Sequence, residues 1–132
     1  MILRTLILLL CLSACKTTTT TSNTSNVSSS VSYPLLSPKQ SIADFVGQSI
    51  RIKGKISSSI YQHMMKGSFA GEEQHIYIDY NDGKQLVGYY TTLKIPNDSN
   101  EHIFSGRVSK ISGAGKGGGT HTEYYLDLEK ID

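Results

Sequence analysis

Apolar and polar residues alternate in different ways along this chain. Thr5 to Leu12 is almost wholly aliphatic, Thr17 to Ser32 is almost wholly Thr, Ser and Asn, and from Ile50 onward the two classes trade places residue by residue. The clearest case sets Ile50, Ile52, Gly54 and Ile56 against Arg51, Lys53, Lys55 and Ser57. A period of two, apolar on one side and charged on the other, predicts a half-buried strand. Further runs follow at His75–Tyr80 and Gln85–Leu93, and Asp82-Gly83 between them is a hairpin signal. The fourth run, His102–Ile111, puts Phe104, Gly106 and Val108 on one face. In the fifth, Glu123–Ile131, Tyr124, Leu126 and Leu128 alternate with Tyr125, Asp127 and Glu129. Ahead of the strands, Ser41–Val46 predicts one helical turn, with Ser41 as cap, Asp44 three residues on and Gly47 as its stop.

The first and fourth strands echo each other in Ile52-Lys53-Gly54-Lys55-Ile56 and Phe104-Ser105-Gly106-Arg107-Val108. A glycine inside a strand marks a bulge or a sharp bend. Five strands, a long first connection, a tight second hairpin and glycines in strands one and four resemble the oligonucleotide/oligosaccharide-binding (OB) fold. More narrowly, they resemble the small OB modules of bacterial exported proteins and lipoproteins. The resemblance covers about Ile42 to Asp132, and its motifs are unspecific enough to fit another small β-barrel or sandwich. It implies an all-β, five-stranded, OB-like Greek-key barrel over residues 38–132. Such barrels often carry a helix between strands three and four, for which Lys94–Glu101, with Pro96, is too short. That end of the barrel needs another cover, for which the Ser41–Val46 turn is available.

The N-terminal fifteen residues have the three regions of a secretory signal: a charge at Arg4, a short apolar run and small residues before a cut. The run is well short of the roughly 20 residues that span a bilayer. Leu12-Ser13-Ala14-Cys15 resembles the lipobox of bacterial lipoproteins. The resemblance implies a signal peptide at 1–14 and a mature chain beginning at Cys15, whose thiol carries diacylglycerol and whose acyl chains, palmitate among them, anchor it durably. Residues 15–37 then read as the lipidated N-terminus and a disordered linker, since Ser/Thr-rich chain buries too little to offset its ordering entropy. Lys16 is not the Asp that retains many such proteins in the inner membrane. The expected address is the cell envelope: the outer membrane facing the periplasm in a Gram-negative cell, otherwise the outer face of the plasma membrane.

Charge adds an exclusion. The chain carries a formal net charge of +2, with 13 Lys and Arg against 11 Asp and Glu. The surplus lies in Arg4 and Lys16, so the barrel region is neutral, unlike a general polyanion binder. Both cysteines, Cys11 and Cys15, lie in the first fifteen residues, which leaves the barrel without a disulfide, a thiol nucleophile or a thiolate metal site.

By the OB resemblance, ligands lie across strands two and three, bordered by the one–two and four–five loops. Transferred by position, this nominates Tyr77, Tyr89 and Tyr90 from the hairpin, His63, Met64, Met65, Lys66 and Phe69 from the first loop, and Lys116 and His121 from the last. The rings could stack on bases or sugars or simply pack the barrel. Arg51, Lys53 and Lys55 could meet phosphates or form a solvated face. Gly113–Thr120 lacks the Gly-Lys-Ser/Thr order of a phosphate loop. His63, His75, His102 and His121 lack the close spacing of a zinc motif, and no nucleophile, base and orienting group stand out. The expectation is a non-catalytic binding or interaction module without cofactor or metal. Its partners would be the bilayer through Cys15 and another envelope protein or a glycan. The alternatives are a structural subunit of an envelope or secretion assembly, or an exported nucleic-acid or glycan binder, nucleic acid being disfavoured by charge.

Overall fold

In a computed structural model, residues 32–66, 73–115 and 117–132 are described. The leader, Cys15, most of the linker, Phe69 and Lys116 lie outside the described residues.

The period-two segments form strands where their pattern places them. These are β1 (Ser49–Ile56), β2 (Gln74–Tyr80), β3 (Lys84–Tyr90), β4 (His102–Ala114) and β5 (Thr120–Ile131). They close into a barrel in the order β1-β2-β3-β5-β4. All neighbours are antiparallel except β3 and β5, which run parallel. The protein is therefore all-β, with an OB-like five-stranded barrel. The β2–β3 hairpin turns through Asn81, Asp82 and Gly83, all at positive φ, the conformation that Asn, Asp and Gly tolerate best.

Closure depends on β1 serving two neighbours. Its first part pairs with β4 from Ser49↔Arg107 to Gly54↔His102, and its last part with β2 from Gly54↔Tyr80 to Ile56↔Ile78. Gly54 is the handover point, and a Cβ there would lie 2.5 Å from the Asp79 carbonyl oxygen. At Gly106, beside the register shift in the β4–β5 ladder, a Cβ would collide with the Asp127 carbonyl. Both glycines permit a close backbone approach at a bend.

Where β1 has no β2 partner, the chain covers the edge itself. Arg51 donates its amide to the Pro34 carbonyl and accepts from the Leu36 amide, each at 2.8 Å, and its Nε donates to the Tyr33 carbonyl. Leu36 is thereby buried in the core with Ile50, Ile52, Ile78, Phe104, Val108 and Leu126. Residues 33–36, ahead of the expected boundary at residue 38, are thus part of the packed barrel. Two of the basic residues on β1 have structural partners: Arg51 holds this segment, and Lys53 pairs with Glu101 at 3.0 Å.

The predicted turn is a 3-10 helix, Ile42–Phe45, with Ser41 Oγ accepting from the Ala43 amide. It does not cover the β3–β4 end. Ile42 lies beside Tyr80, Leu86 and Tyr124 at the opposite end of the barrel. Leu93, in the helix-free β3–β4 connection, packs against the core instead.

Candidate functional site

Strand alternation gives the β2-β3-β5 sheet an outer face made of three rows. Asp79 pairs with Gln85; Tyr77, Val87 and Tyr125 lie abreast; so do His75, Tyr89 and Asp127. This is the face on which an OB barrel takes ligands. An open sheet face would leave these residues wet, yet Val87 is 2% and Tyr89 4% exposed. β3 is buried on both sides from Leu86 to Tyr89.

The cover is the chain's own β1–β2 connection. Residues 57–66 leave β1 beside β2, where Ser57 donates its amide to the Tyr77 carbonyl, and then cross β3 and β5. Gln85 is the first anchor. Its Nε2 faces three acceptors, Ser57 Oγ (2.8 Å), the Ser59 carbonyl (2.8 Å) and Asp79 Oδ1 (2.6 Å), while its Oε1 accepts from the Tyr61 amide at 3.0 Å. Glu123 is the second anchor. Oε2 accepts from the Met64 amide at 2.9 Å and lies 3.2 Å from His63 Nδ1, and Oε1 lies 2.8 Å from His121 Nε2. Burial pushes the Glu123 carboxyl up, but the hydrogen bonds from His121, the Met64 amide and His63 together outweigh it and hold the group below its ordinary value.

The far end of the connection is tied by Lys66. Its amide donates to the Tyr89 hydroxyl at 2.7 Å, and its ammonium meets Glu73 at 2.7 Å and Asp127 at 3.8 Å. The same ammonium stands 5.5 Å from the centre of the Tyr89 ring and 5.8 Å from that of Tyr125, within cation–π range. Glu73's hydrogen bond keeps Lys66 charged above the ordinary lysine range, against the burial that opposes it. Burial in turn pushes the Tyr89 hydroxyl up. Met65 Sδ lies 3.9 Å from both the Tyr77 and Tyr89 hydroxyls.

Beyond Glu123, the long β4–β5 hairpin carries an open pocket of about 350 Å³ lined by His63, Met64, Ala114, Gly115, His121 and Glu123. Met64 lies over Gly113, where a Cβ would come 2.6 Å from Cε. The two loops that border an OB ligand face therefore touch here.

Of the residues nominated from sequence, Tyr77 and Tyr89 do share the outer face, with Met65 and Lys66 on top of them, and His121 joins the cluster through Glu123. Tyr90 does not join them: as the strand neighbour of Tyr89 it turns inward and packs against the core. Positional transfer missed Gln85, Glu123, Tyr125 and Asp127. The signal for the last three was the set at 123, 125 and 127, spaced to line one side of β5. The histidines divide into separate settings: His63 and His121 flank Glu123, His75 stands edge-on to Tyr77, and His102 pairs with Asp98. Among the described residues, no three His, Cys, Asp or Glu are grouped to hold a metal ion.

Compared with protein-family models, curated proteins and solved structures, the chain has no significant match.

Proposed function

We propose that this chain is a lipid-anchored envelope lipoprotein whose barrel is a non-catalytic module for contact with another envelope protein. The observation that carries the contact reading is the occupied outer face of β2, β3 and β5. Residues 57–66 fill the place of a stacked base or sugar, and the surface offered outward is that segment itself. Its exposed side includes Ile60 at 68%, Tyr61 at 59% and Met65 at 40%. Adjacent exposed Ile and Tyr on a tied-down loop suit a protein contact, where tyrosine and other large side chains act as anchors. The neutral barrel fits that partner better than a polyanion. The envelope setting rests on Leu12-Ser13-Ala14-Cys15 and on the Ser/Thr-rich segment after it.

Two measurements on the full chain in bacterial cells test this. A photo-crosslinker at Tyr61 is expected to give one discrete protein adduct from the membrane fraction, abolished by Ile60→Asp. The absence of an adduct, together with DNA binding that falls steeply with salt, would overturn the contact reading. Cys15→Ser is expected to yield an unlipidated precursor lost from the membrane; normal palmitate labelling of that variant would overturn the anchor.

A further inference from the structure

His63 lies where the 57–66 connection crosses β3 and β5, with 11% of its side chain exposed. Its two ring nitrogens have unusual company. Nδ1 is 3.2 Å from Glu123 Oε2, and Nε2 is 3.0 Å from Gln85 Oε1. Both oxygens can only accept. The Gln85 amide cannot profitably turn over, because Oε1 takes the Tyr61 N–H and Nε2 faces three acceptors. The Glu123 oxygen already takes the Met64 N–H.

A neutral imidazole has one N–H and one lone pair. Either tautomer would therefore point a lone pair at an oxygen, across 3.0 Å or 3.2 Å. The imidazolium donates at both ends and bridges β3 to β5 through the loop. We propose that residues 57–66 form a pH-sensitive strap, clamped over the barrel's aromatic face by protonated His63 and loosened when that proton leaves.

The surroundings fix the sign. From β5 the charged neighbour is Glu123, with His121 on its other oxygen. From β3 the neighbour is the neutral Gln85, which holds Asp79 of β2 behind it. From β2 it is the Tyr77 ring, 5.7 Å away between centroids. At the other end of the strap, the Glu73 hydrogen bond holds Lys66 charged above the ordinary lysine range. Raising the pH through the histidine range thus removes a donor at one anchor and leaves the other tied. Loosening bares Tyr77, Val87, Tyr89 and Tyr125, the rows an OB barrel would use for stacking. The strap stands on this geometry whether or not a protein partner docks on it.

Hydrogen exchange of the full chain tests the strap. Protection of residues 57–66, corrected for intrinsic rates, is expected to fall about tenfold between roughly pH 5.5 and 8.5, the span over which a histidine changes charge. The β4 amides of Phe104 and Val108 should stay protected at both values, which separates loosening from unfolding. In His63→Gln the strap's protection should lose its pH dependence. Nitrogen NMR should find both His63 ring nitrogens protonated at the lower pH. A single fixed tautomer there would overturn the proposal. So would equal strap protection at the two pH values, or a His63→Gln variant as pH-dependent as the parent.

Discussion

At the scale of single residues, the two bend glycines show how little room barrel closure leaves. Neither Gly54 nor Gly106 has positive φ, so the constraint is on space rather than on backbone conformation. A methyl at Gly54 meets the Asp79 carbonyl, and one at Gly106 meets that of Asp127. Backbone cannot step aside as a side-chain tip can. Gly54→Ala and Gly106→Ala are each expected to cost about 2–3 kcal/mol, the upper part of the usual overpacking range. Gly117, with nothing within 4 Å of an added Cβ, is the internal control, and Gly117→Ala should stay within about 0.5 kcal/mol of the parent. Chemical denaturation of the three variants checks this, and an equal loss in all of them would contradict it. The pattern apolar–x–Gly–x–apolar marked both positions in the sequence. Which carbonyl presses on each depends on the register of a partner strand distant in the chain, which local pattern does not carry.

Elements were legible where one face is wet and obscure where both are covered. β1 alternates because its outer side remains polar. β3 reads Leu86-Val87-Gly88-Tyr89 without alternation, and the structure explains this by giving it a second cover. A run buried on both faces normally belongs to the middle of a layered sheet; here the second cover over Val87 and Tyr89 is the strap. The strap itself had no such sign: Ser57–Lys66 has no period, and its order comes from side chains on β3 and β5. Glu123 shows the energetic consequence. An unfolded glutamate takes its proton near 4.5, and the folded carboxylate is held below that value. Between the two values the unfolded chain binds more protons, so stability rises with pH there. The Glu123 contribution is complete above about pH 4.5 and disappears as pH falls through the folded value. Glu123→Gln should flatten that part of a denaturation-midpoint profile measured from about pH 6 downward; an unchanged acid limb would mean the anchor contributes nothing.

For the barrel as a whole, the residues just ahead of position 38 carry part of the closure. Composition placed the end of the linker at residue 37, because Tyr33-Pro34-Leu35-Leu36 is too short to show a period. The structure uses those residues as the missing neighbour of β1. Leu36 is 5% exposed within the core, the Arg51 backbone is bonded on both sides of it, and the Tyr33 hydroxyl donates to Glu129 at 2.8 Å. This segment therefore supports the part of β1 that has no β2 partner. The same reasoning predicts how a shortened chain behaves. A chain beginning at residue 38 keeps all five strands but loses the Leu36 side chain and both backbone bonds to Arg51. Removing a buried leucine alone typically costs about 2–5 kcal/mol. The 38–132 chain should therefore unfold at distinctly lower denaturant than a 32–132 chain, and Leu36→Ala in the longer chain should reproduce most of the deficit. Equal midpoints for the two lengths would show that β1 closes the barrel without residues 33–36.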